Sequence, residues 1–164
     1  MTVAEVQFYD VVVWLHVSAL VVGFGPTFAF GLYMAFIGRN HPRSIPAVIE
    51  AQDVVIRTMT TIGALVILAS GIYLAADRWE FSDAFVIVGL VAIVLLMGLS
   101  YGYFIPADRR AKQIAERDIA AAGGADPQFS DEFWAAVSGS RILGPVAGLI
   151  VILTIYFMAA KPFL

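Results

Sequence analysis

Four long apolar stretches alternate with short polar clusters along the chain. Val11 to Ile37 has His16 as its one candidate for a charge, while Met59 to Ala76, Ala84 to Pro106 and Ile142 to Ala160 carry no charged residue. A helix needs about 20 mostly apolar residues to cross a bilayer. The pattern therefore predicts membrane-spanning helices at about 11–37, 59–76, 84–106 and 142–160. The connection between the second and third stretches is short, which makes those helices antiparallel neighbours. The predicted fold is an all-α, integral membrane four-helix bundle of up-down-up-down topology, a single transmembrane domain over residues 1–164.

The polar clusters predict further elements. Thr2 and Glu5 have capping-box spacing, so the first helix is expected to begin near Val3. Gly38-Arg39-Asn40-His41-Pro42 is a breaker cluster. Ser44 is then the expected N-cap of a helix with Pro46 in its first turn, carrying Glu50, Asp53 and Arg57 into the second span. Glu50 and Asp53 are expected to pair with the nearby arginines. The 107–141 segment is the sizeable polar part. Ala107 to Ala122 predicts a charged helix, with Lys112 and Glu116 as an i,i+4 pair. Gly123-Gly124-Ala125-Asp126-Pro127 breaks it, and Ser130-Asp131-Glu132 starts the helix that runs through Phe133 and Trp134 into the fourth span.

Composition sharpens the class. Apolar residues make up 60% of the 164, and charged residues only 14%, against about 25% in an ordinary soluble domain. The net charge is −3, which argues against a nucleic-acid partner. With no cysteine, thiolate metal sites and cysteine nucleophiles are excluded.

Basic residues set the expected orientation. The first connection has Arg39, Arg43 and Arg57, and the third has Arg109, Arg110, Lys112, Arg117 and Arg141; the second has only Arg78 among Asp77, Glu80 and Asp83. Both termini are expected on the outer side of the cell membrane. Trp14, Tyr73, Trp79 and Tyr156 then fall at the outer interface. Residues 57–76 and 141–160 align without gaps, Arg57 on Arg141, which suggests two tandem helical hairpins related as a parallel repeat.

Candidate chemistry is sparse. His16 is an ionisable group inside a span, a functional hypothesis by default. Its alternatives are haem b or metal ligation, proton carriage, or a neutral imidazole bonded to a neighbouring helix. Met158, near the same level, is the available axial partner for haem. Gly23-Phe24-Gly25-Pro26 is expected to interrupt and kink the first helix, opening a cavity or permitting close packing. Gly98 with Gly102, and Gly144 with Gly148, have the spacing of helix packing inside the bundle or across a homodimer. Arg57, Arg109, Arg110 and Arg141 form an inner basic rim, explained by anchoring to anionic headgroups.

Leu15-His16 followed by Gly23-Phe24-Gly25-Pro26 resembles small bacterial four-helix membrane families. The nearest is an uncharacterised family of predicted integral membrane proteins with a domain of unknown function. More distantly the chain resembles CopD-like copper-resistance proteins and HemJ-type protoporphyrinogen oxidases. The resemblance implies that His16 matches the first-helix histidine that HemJ-type proteins use for haem. The lysine that those proteins carry in a later span is missing here, as are the further membrane histidines of CopD-like proteins. Three functions follow as expectations. The first is a non-enzymatic accessory or assembly subunit in the lipid bilayer, alone, as a homodimer or in a larger membrane complex. The second is a haem- or copper-binding redox protein centred on His16. The third is an oligomeric small-molecule carrier or channel.

Overall fold

A computed structural model describes residues 7–162. Six α-helices account for the four spans: α1 (Phe8–Asn40), α2 (Ile45–Val55), α3 (Thr61–Arg78), α4 (Ala84–Leu99), α5 (Ile105–Ala122) and α6 (Asp131–Ala160). A π-helical turn at Ile56–Thr60 joins α2 to α3, and a second at Ser100–Phe104 joins α4 to α5. The predicted spans thus lie within four continuous helical rods, each long and apolar enough to cross a membrane. Leu32 is 75% exposed and Ile142 69%, so the outer surface of the bundle is itself apolar, as lipid contact requires.

Local chemistry explains most boundaries. At the start of α1, the Gln7 amide donates to Asp10 Oδ2 at 3.1 Å. The expected Thr2–Glu5 capping box lies outside the described residues. Pro26 does not interrupt α1, which is continuous through it. Proline lacks the amide that would bond the carbonyl one turn earlier. For Pro26 that carbonyl is Val22's; one residue further on, Thr60 Oγ1 crosses from the second rod and donates to the Gly23 carbonyl at 2.8 Å. Ser44 closes a short 3-10 turn, Pro42–Ser44, instead of capping α2 with its side chain. Ser130 does cap α6, accepting from the Phe133 amide at 3.4 Å. Gly123 ends α5 at φ +58°, a left-handed-side conformation that glycine adopts without a Cβ clash.

The four rods pack in sequence around the bundle: α1 on α3, α3 on α4 and α4 on α6, with α1 and α6 meeting least. One core lies mid-bundle, with Phe24, Ala64, Ile93, Leu96 and Val151 buried together. A second lies at one end, where Ala75, Phe85 and Val86 pack with Trp79 and Met158. The third lies at the opposite, arginine-rich end. There α2, α5 and the first turn of α6 bury Ile45, Ile49, Ala111, Ile114, Ala115 and Phe133. This third core caps the bundle beyond the apolar runs.

Candidate functional site

The weak α1–α6 contact leaves a cavity of about 1040 Å³ at the arginine-rich half of the bundle. That exceeds the roughly 300–1,000 Å³ of most small-molecule pockets. Its walls come from α1 and α6, including Phe28, Gly31, Gly144, Gly148 and Ile152. Phe28 and Ile152 are exposed members of that lining, so the cavity opens along the α1–α6 seam. Its depth is closed by the other two rods, through Ile56, Thr60, Leu96, Ser100 and Phe104.

Polar groups gather in the same lining: Arg39, Gln52, Asp108, Ser140 and Arg141. Asp108 is only 8% exposed. Its carboxylate makes no ion pair and no side-chain hydrogen bond among the described residues, and neither guanidinium of Arg39 or Arg141 is ion-paired there. Ser140 Oγ is also buried without a partner. A carboxyl removed from water without a counter-charge shifts toward its neutral form, and a cation brought beside it restores the charge. The cavity therefore combines apolar walls with unspent polar groups of both signs.

Asp108 did not stand out in the sequence because it begins a charged helix. Its helical phase carried the signal. Ile105, Asp108, Ala111 and Ile114 recur at three-residue spacing and are all buried, so Asp108 occupies the apolar stripe of α5.

The other arginines of the rim are engaged differently. Arg57 Nε donates to Asp53 Oδ2 at 2.8 Å, as expected for that pair. Glu50 instead takes Lys112, Nζ to Oε2 at 2.9 Å, because α5 lies directly against α2. Lys112 also reaches Glu116 at 3.8 Å. Arg110 approaches Glu132 at 3.7 Å. Arg117 donates to Glu132 at 2.8 Å, and Asp118 accepts from both the amide and the hydroxyl of Ser130. These bonds hold Asp118 and Glu132 below their ordinary pKa values; for Asp118 the Ser130 amide is the largest cause, for Glu132 the Arg117 guanidinium.

His16 lies away from this cavity, half-buried between α1 and α3. Its Nδ1 is 2.9 Å from Ser70 Oγ, and its ring packs on Gly71. Ser70 Oγ in turn donates back to the Val66 carbonyl of its own helix. Met158 packs across Gly89 and within the Ala75–Phe85–Val86 core.

The glycines divide. Gly23 and Gly63 bring α1 and α3 into backbone contact: a Cβ on Gly63 would lie 2.8 Å from Gly23 Cα. Gly63 carried no spacing signal in the sequence. Gly148 packs on Phe28, whereas Gly25, Gly98, Gly102 and Gly144 have nothing within 4 Å of a Cβ position.

Four long apolar rods around a seam-opening cavity define a multi-pass integral membrane protein. The chain belongs to the family of predicted integral membrane proteins designated DUF2269, whose model matches residues 10–162. No curated protein and no solved structure matches it.

Proposed function

We propose that this protein is a non-enzymatic accessory membrane subunit that holds an amphipathic molecule in the seam between α1 and α6. One observation carries the reading: the cavity of about 1040 Å³ joins apolar walls to a polar end bearing Asp108, Arg39 and Arg141. Such a lining matches a molecule with a long apolar part and a charged head. The arginine-rich end faces inward on the basic-residue rule, with both termini outside. Gly98 and Gly102, bare on the outer face of the third rod, support self-association through that face.

The test uses full-length protein purified in mild detergent and native mass spectrometry. The expected result is a retained amphiphile on the wild-type chain. Gly144→Trp fills the lining at a position with free space and is expected to abolish retention while helical circular dichroism stays unchanged. A wild-type chain without adduct, or equal retention by the variant, overturns the proposal.

Haem b binding at His16, with Met158 as the axial candidate, is the second reading. The Ser70 bond to Nδ1 favours it, because a ligating imidazole is commonly oriented by a hydrogen bond at its other ring nitrogen. Protein produced with haem and copper supplied should then show a haem band that His16→Ala removes. A colourless, metal-free sample rejects it.

A further inference from the structure

We infer that the molecule held in the seam is a phospholipid whose headgroup carries both a primary ammonium and a phosphate. This rests on the amphiphile-holding reading and names the head that the cavity selects.

Charge distribution in the lining carries the argument. An anionic lipid would satisfy Arg39 and Arg141 but would leave Asp108 without a counter-charge, in its neutral form and unused as an ionic partner. A cationic amphiphile would satisfy Asp108 and leave the two guanidinium groups facing like charge. A zwitterionic head satisfies both signs at once. Asp108, only 8% exposed and without an ion pair, takes the ammonium. Arg39 and Arg141, on α1 and α6 at the two sides of the seam, take the phosphate; arginine forks match phosphate oxygens.

The acyl chains have a place on the same surface. Phe28, Gly31, Gly148 and Ile152 continue the lining away from the polar groups, and Phe28 and Ile152 are exposed at the seam. One chain lies against this apolar strip while its fellow remains in the bilayer. A primary ammonium has three N–H donors for the buried carboxylate. A trimethylated ammonium keeps the charge and has none, so it leaves the desolvated acceptor unbonded.

The experiment places the full-length protein in nanodiscs. These contain equal parts phosphatidylethanolamine, phosphatidylcholine and phosphatidylglycerol with identical acyl chains. Native mass spectrometry then reads which lipid stays bound after release. Phosphatidylethanolamine is expected to be enriched over the other two by about tenfold, the scale of one hydrogen bond to a charged group. Asp108→Asn, which keeps shape and removes charge, is expected to erase the preference for ethanolamine over glycerol while lipid is still retained. Arg141→Gln is expected to weaken retention of all three. Soluble phosphoethanolamine at millimolar concentration is expected not to displace the lipid; displacement would assign the site to a free headgroup compound and overturn the inference. Retention with no headgroup preference, or preference for phosphatidylglycerol, also overturns it and leaves the amphiphile-holding reading intact. Absence of any retained lipid overturns both.

Discussion

Gly63 sets how closely α1 and α3 approach. A methyl group there would meet Gly23 Cα at 2.8 Å and the Ala19 carbonyl at 3.0 Å, and backbone atoms cannot rotate aside. Gly63→Ala is therefore expected to destabilise the protein by about 1–3 kcal/mol. Gly98→Ala, with nothing within 4 Å, is expected to leave stability unchanged in the monomer. Thermal unfolding of both variants in one detergent checks the contrast. The His16–Ser70 bond belongs to the same α1–α3 interface. Hydrogen bonds between membrane helices contribute about 1 kcal/mol, so Ser70→Ala should lower stability by that order in the same assay. At this scale the sequence was unevenly legible. His16 stood out because an imidazole is conspicuous among apolar residues. Gly63 did not, because one glycine in an apolar run has no spacing partner in its own helix; its partner, Gly23, is forty residues earlier in the chain.

The helical elements were the most legible part, since their apolar runs are set by bilayer thickness and not by tertiary contacts. The connections were less so. The charged run 107–122 continues the third rod, buries Asp108, and turns Ala111, Ile114 and Ala115 toward α2 and α6. Counting charges hides this; phasing them on a helix reveals it. The α5–α6 joint depends on ionised carboxylates. Asp118 binds Ser130, and Glu132 binds Arg117. Both carboxyls are held below their ordinary pKa in the folded chain, so their contribution is fully present above the unfolded values. It is lost as pH falls through the folded ones. The joint is therefore expected to hold at neutral pH and to loosen below about pH 4, the ordinary carboxylate range. Trp134, the fourth residue of α6 and edge-to-face with Phe129 and Phe133, reports it by its emission once Trp14 and Trp79 are replaced by Phe. Asp118→Asn should remove part of the acid transition. An emission profile flat from neutral to acid would refute the dependence.

For the whole molecule, the charge alternation predicts a definite placement across the bilayer. The chain has no cysteine, so single cysteines can be added cleanly. In intact cells, Ser82→Cys is expected to react with a membrane-impermeant maleimide, and Gly124→Cys only after permeabilisation. The opposite pattern would invert the orientation. The bundle itself was legible from four runs and short links. The cavity was not, because it arises from how two rods distant in the chain, α1 and α6, fail to close on each other. The cap at the arginine-rich end has a consequence for synthesis of the chain. Ile45 and Ile49 precede the second span; Met34 and Ile37 of α1 flank their core, but the rest of their cover comes from α5 and from Phe133, which emerge only after the third span. A nascent chain therefore holds two half-covered isoleucines on the loop side until translation has passed Phe133. A polypeptide truncated before that point would present a ready apolar handle to chaperones and membrane proteases, so completion of the cap doubles as a mark that all but the last crossing has been made.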